Sequence, residues 1–138
     1  MAAATDDLEA LGLPFLVIEL RGKIVGYAYA TPWRDKPAYR HSVEGTIYLA
    51  PDATGGGLGR MLLDALVRAC AEAGMSQLVA IVADTGETAS RAAHLASGFV
   101  EVGRLLRSGH KHGRWIDTVL MQRELGPSMC PSAQPTPP

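Results

Sequence analysis

A strand, a glycine-dense loop, a helix and a second strand follow one another without interruption between Ser42 and Ala83, and no other part of the chain constrains the fold as much. From Ser42 to Leu49 the pattern alternates, with Val43, Gly45, Ile47 and Leu49 on one face and Glu44, Thr46 and Tyr48 on the other. Pro51 closes that strand, and residues 52–59 form the glycine-dense loop. After it Leu58, Leu62, Ala65, Leu66 and Ala69 recur at helical spacing, opposite a stripe of Arg60, Asp64, Arg68 and Glu72 that reads as a solvated face. Gly74 supplies the stop. Residues 78–83 are apolar on both faces, the pattern of a central strand covered on both sides. A strand, helix and strand in this order predict a parallel crossover, and hence an α/β fold.

The remaining elements fit around that unit. A short helix ends at Leu11 before Gly12, and strands at residues 15–20 and 24–30 are joined through Arg21-Gly22-Lys23 as a hairpin. A second helix over 88–96 stops at Gly98, and strands over 99–108 and 115–123 form a closing antiparallel pair around His110-Lys111-His112-Gly113. The chain has 138 residues, room for one domain that needs no disulfide or structural metal, predicted over 1–125, with a proline-rich disordered tail over 126–138. Cys70 and Cys130 form no close pair and no secretory signal is visible, which predicts reduced thiols in the cytoplasm; Cys70, beside Leu66 on the apolar edge of its helix, is expected to pack. With 13 basic against 14 acidic residues there is no global pull toward nucleic acid or anionic lipid, and the apolar runs are too short to span a bilayer.

The loop Thr54-Gly55-Gly56-Gly57-Leu58-Gly59-Arg60 stands between a strand and a helix, where glycines admit a ligand to the backbone and free N–H groups favour phosphate; such turns also occur with no ligand. A P-loop would need Gly-Lys-Ser/Thr, and here Gly59 is followed by Arg60-Met61. The dinucleotide fingerprint needs a Gly or Ala where Arg60 or Leu62 stands. Glu44, by pattern alone, is either a general base or a glutamate facing solvent.

Gly57-Leu58-Gly59 closes a loop that resembles the acyl-coenzyme A pyrophosphate loop of the GCN5-related N-acetyltransferase superfamily. The residues 25–33, Ala38-Tyr39, Ser42 to Leu49, His94 before Gly98-Phe99, and 109–117 are similar, in the same order, to the phosphinothricin N-acetyltransferase and L-amino acid N-acyltransferase branch. The resemblance covers roughly Thr5 to Leu125, and it implies a mixed central sheet with helices on both faces. The usual first strand and helix are expected to be lacking, because only 14 residues precede Phe15. The chain departs from the family pattern in two places: Thr54 opens the loop where Gln or Arg is usual, followed by Gly55 where a second basic residue is common, and Glu87 replaces an asparagine near the pantetheine arm.

The resemblance implies transfer of an acetyl group from acetyl-coenzyme A to the amine of a small amino acid or analogue such as phosphinothricin, methionine sulfoximine or methionine sulfone. It implies Glu44 as the base, His112 at the acceptor site, and His94 where many members carry a tyrosine that protonates the thiolate. Tyr48, Leu49, Thr54, Gly55, Gly57, Leu58, Gly59, Arg60 and Glu87 are implied to bind the cofactor, with a backbone N–H near Leu49 holding the oxyanion. A homodimer is implied as well. No metal is expected: His110 and His112 would need two further ligands. Arg104, Arg107, Lys111 and Arg114 form a basic cluster, read either as a solvated hairpin or as an attractor of an acidic acceptor or of coenzyme A phosphates. The short start of the chain also admits a different reading, a non-catalytic acyl-coenzyme A-binding or dimerisation module.

Overall fold

A computed structural model describes residues 4–86 and 88–126. The elements in chain order are α1 (Ala4–Leu11), β1 (Phe15–Leu20), β2 (Lys23–Pro32), β3 (Ser42–Leu49), α2 (Leu58–Glu72), β4 (Gln77–Asp84), α3 (Ala89–Ala96), β5 (Val100–Lys111) and β6 (Arg114–Glu124). The expected disordered tail lies outside the described residues, Gly126 excepted, as does Glu87.

The six strands form one mixed sheet in the order β1-β2-β3-β4-β6-β5. Among the described residues only β3 and β4 run parallel, and α2 connects them, as the central run of the sequence predicts. The other four pairings are antiparallel. Both tight hairpins are two-residue turns with positive φ at each central residue: Arg21 (+54°) and Gly22 (+78°) between Leu20 and Lys23, and His112 (+53°) and Gly113 (+75°) between Lys111 and Arg114. Such turns match the right-handed twist of the strands they join. His112 is therefore a turn residue, in the left-handed region that His tolerates better than most side chains.

The core lies between the sheet and α2. Leu62, Leu63, Leu66, Val67 and Cys70 of that helix are buried, against Ala28, Ala30, Val43, Leu78, Ala80, Val119 and Met121 of the strands. Gly45 permits this approach: a Cβ there would come within 3.0 Å of both Leu66 Cδ2 and Leu78 Cδ1. The predicted apolar stripe thus includes Leu63, Val67 and Cys70 as well. Burial pushes the Cys70 thiol up to about 12, which removes it from nucleophilic chemistry near neutral pH.

Two expectations change. The stripe opposite the core is not wholly solvated, because the Ser97 hydroxyl, just after α3, donates to Asp64 Oδ1 at 2.7 Å and ties the two helices together. On β4, Leu78, Ala80 and Val82 are buried, but Ile81 between them is 44% exposed. The strand therefore buries one face rather than two.

Candidate active site

The β3–β4 ladder stops halfway. It pairs Ser42 to Gly45 with Gln77 to Ala80, yet β3 runs on to Leu49 beside β2, and β4 runs on to Asp84 beside β6. The two parallel strands part after Gly45 and leave a wedge in the sheet. Trp33 N–H donates to Ser42 O and Ala50 N–H to Val25 O, so the even-numbered residues of this stretch bond to β2. By the alternation of a strand, the N–H and C=O groups of Ile47 and Leu49 point the other way, into the wedge. Such an edge accepts an extended, amide-bearing ligand as an added strand.

The glycine loop follows directly on this edge. Gly55 and Gly57 have φ of +89° and +84°, and Gly57 is the residue that caps α2. Among the described residues no side chain caps that helix, and its first turn carries no acid, so its free N–H groups and the positive end of its dipole face outward. A Cβ at Gly55, Gly56 or Gly57 would meet nothing within 4 Å. Packing does not require these glycines; the backbone turn does, and an anion can reach the N–H groups. Leu49 borders the site through its side chain, with Cδ2 at 3.8 Å from a Cβ placed on Gly59. Two implied ligands turn elsewhere: the Thr54 hydroxyl donates back to Pro51 O at 2.9 Å, and Arg60 Nε pairs with Asp64 Oδ2 at 3.2 Å. Leu58 begins the helix with its side chain half-buried.

Glu44 is half-buried and points to the face of the sheet away from α2, since its neighbours Val43 and Gly45 face that helix. Tyr48 shares Glu44's face and stacks on Tyr27 at 5.3 Å between ring centroids. Tyr27 and Tyr29 in turn stack with Phe15 at 6.0 and 5.5 Å, giving an aromatic ladder beside the carboxylate that the alternation of β2 could have suggested.

The structure does not bring the three implied catalytic residues together. His94 is 4% exposed and lies in the core, edge-to-face on Phe99 at 4.9 Å, with Nδ1 2.7 Å from Ser90 O. It lines a small cavity with Gly45, Ile47, Leu63, Leu66 and Ala80, on the side of the sheet opposite Glu44. Burial pulls its pKa below the ordinary histidine value, so the ring is neutral and donates its Nδ1–H to Ser90 O. This placement argues for packing rather than for proton donation to a thiolate. Glu44 is level with Val79 on β4, whereas His112 lies beyond the level of Asp84, a separation along the strands of roughly 16 Å or more.

The basic cluster is also altered by the fold. Arg104 is held by Asp84 at 2.8 Å and Asp117 at 2.9 Å, and Arg91 of α3 reaches Glu101 at 3.5 Å and Asp84 at 4.0 Å. The hydrogen bond from Arg104 is the main cause holding Asp84 below the usual carboxylate range. For Asp117 the backbone N–H of Arg107 comes first and Arg104 second. Arg104 is therefore not free to attract an anion. His110 packs edge-to-face on Trp115 at 4.6 Å, and among the described residues no three His, Cys, Asp or Glu side chains converge as a metal site would require.

A split parallel pair whose open edge runs into a glycine loop and a bare helix N-terminus defines an acyl-coenzyme A-type transferase fold, and the sequence profile of the acetyltransferase (GNAT) family matches residues 2–99. The chain belongs to this family. It is 54% identical over 114 residues to the phosphinothricin N-acetyltransferase of Alcaligenes faecalis, a match covering 83% of this chain and 58% of that protein. It is 38% identical to an L-amino acid N-acyltransferase of Escherichia coli, over 88% of this chain and 70% of the relative. Among solved structures, a GNAT superfamily phosphinothricin acetyltransferase from Sinorhizobium meliloti in complex with AcCoA superposes with a TM-score of 0.87 at 41% identity, over 99% of this chain and 72% of that one. The chain thus spans somewhat under three fifths of the Alcaligenes protein and about seven tenths of the other two.

Proposed function

We propose that this protein transfers an acetyl group from acetyl-coenzyme A to the amine of a small amino acid or analogue, with phosphinothricin, methionine sulfoximine and methionine sulfone as the acceptor class. One observation carries the reading: the wedge between β3 and β4 opens directly onto the glycine loop at the start of α2. The pyrophosphate sits on the N–H groups of the loop and first helical turn, and the pantetheine arm follows the exposed edge of Ile47 and Leu49. The similarity to a phosphinothricin N-acetyltransferase and an L-amino acid N-acyltransferase supports the acceptor class.

In the reaction an acceptor ammonium must lose a proton, its nitrogen attacks the thioester carbonyl, and the thiolate leaves. Glu44 takes the proton directly or through one water, beside the aromatic ladder that shapes the acceptor side. The N–H groups that face the wedge hold the oxyanion. A thiolate is a good leaving group near neutral pH, so the buried His94 is not required for departure. His112 contributes from the β5–β6 turn, beyond the level of Asp84. The free, buried Cys70 supports a reducing cytoplasmic setting, and the exposed β5 side, with Val100, Val102, Leu105 and Leu106 all at least half exposed, supports association with a second copy.

Mass spectrometry after incubation with acetyl-coenzyme A and the amino-acid panel tests the proposal. An N-acetylated acceptor upholds it. Bound acetyl-coenzyme A with every acceptor unmodified leaves a non-catalytic acyl-coenzyme A-binding module instead. Sedimentation of the intact chain checks the homodimer.

A further inference from the structure

The closing hairpin is distorted at two places, and the larger distortion lies toward its turn. Between Leu105, opposite Thr118, and Gly109, opposite Ile116, the three residues 106–108 of β5 face the single residue Asp117 of β6. Arg107 adopts a φ of +48° within this bulge, a conformation that a long side chain avoids unless it is held. What holds it is Asp117. Its Oδ1 accepts the Arg107 N–H at 2.8 Å and its Oδ2 accepts Arg104 Nη1 at 2.9 Å. The same Arg104 nitrogen donates to Asp84 at 2.8 Å, and Ser108 Oγ donates to Thr118 Oγ1 at 2.7 Å on the other side of the bulge.

The location gives this arrangement its significance. Gly45 faces Ala80 across the β3–β4 ladder, so Leu49 stands level with Asp84, the last residue of β4 and one side of the wedge mouth. Asp84 faces Asp117, and β6 begins three residues earlier at Arg114, so the hairpin overhangs the mouth by roughly 10 Å. The overhang carries His110, Lys111 and His112. Bulges re-aim the strand that follows them. Two carboxylates directly opposite on neighbouring strands repel, and Arg104 between them converts that repulsion into a clamp joining β4, β5 and β6.

We propose that Asp117 is a positioning residue for the acceptor side of the site: its carboxylate sets the β5 bulge and, through Arg104 and Asp84, fixes the overhanging hairpin against the wedge mouth. The inference rests on the acetyl-transfer reading for its kinetic part only. The clamp joins β4, β5 and β6, whereas the glycine loop follows β3, so the clamp holds none of the loop N–H groups assigned to coenzyme A.

The test uses the full chain with Trp33→Phe, so that Trp115 reports alone on the hairpin. In Asp117→Ala the Arg107 amide exchanges faster, Trp115 emission shifts, and acceptor KM rises roughly tenfold while coenzyme A affinity stays within about threefold. Asp117→Asn, which keeps an acceptor for the Arg107 N–H and loses the ion pair, falls between the two. Unchanged Arg107 exchange and Trp115 emission overturn the proposal, and so does an altered hairpin with an unaltered acceptor KM. If Asp117→Ala fails to fold, Arg104→Gln carries the same readings. A parent chain with no turnover refutes the acetyl-transfer reading, and the exchange and emission data then decide whether Asp117 sets the hairpin.

Discussion

The side chains of Glu44 and His94 leave the structure on opposite faces of the sheet, Glu44 beside the aromatic ladder and His94 beneath β3 in the core. A proton cannot pass directly between them.

His94 is therefore expected to affect stability more than turnover. Burial lowers the folded ring's affinity for a proton, so the unfolded chain binds it more strongly. The folded state has its full advantage above about pH 6.5 and loses it as pH falls through that value, until the folded ring also protonates. Urea denaturation of the parent chain should show this acid-side fall, and His94→Leu should lack it while keeping kcat within a few-fold.

Glu44→Gln keeps the size and loses the base. Turnover should fall by about two orders of magnitude, with circular dichroism and acetyl-coenzyme A affinity unchanged. A rate equal to that of the parent removes Glu44 from the mechanism.

Gly57→Ala tests the loop. The added methyl has open space, but the left-handed conformation at the helix cap costs an L-residue about 1 kcal/mol. The loop should relax away from this geometry, weakening acetyl-coenzyme A binding by roughly five- to tenfold in calorimetry, with little change in acceptor KM.

Cys70 should be silent to thiol reagents. With its pKa near 12 and no exposed surface, in a Cys130→Ser background at mildly alkaline pH it should react with a disulfide reagent only at the rate of unfolding. Fast stoichiometric labelling of the native protein would contradict the packing described for α2.

The parts of this fold that the sequence made legible are those fixed by short-range pattern. The alternation of Ser42–Leu49, the helical spacing after Leu58 and the glycines at both ends place β3, α2 and β4 within a residue or so of where they lie. The hairpin turns follow from the positive φ that Gly22 and Gly113 permit. What escaped was set by long-range pairing. Ser97 and Asp64 are 33 residues apart, and Arg104 finds Asp84 and Asp117 across 20 and 13 residues. His94 reads as helix surface from its neighbours alone, and the packing of α3 against α2, with Phe99 edge-to-face on the ring, buries it. The bulge at residues 106–108 left no local signal beyond Ser108-Gly109. Register would have been informative: once Asp84 is known to face Asp117, a cation between them is required.

The central claim is acceptor-dependent acetyl transfer at the wedge. The direct measurement is release of free thiol from acetyl-coenzyme A as methionine sulfone, methionine sulfoximine or phosphinothricin is added to the intact chain. The account predicts saturable release that depends on the acceptor and nearly vanishes in Glu44→Gln. Tight binding of acetyl-coenzyme A with no thiol released for any acceptor would contradict it.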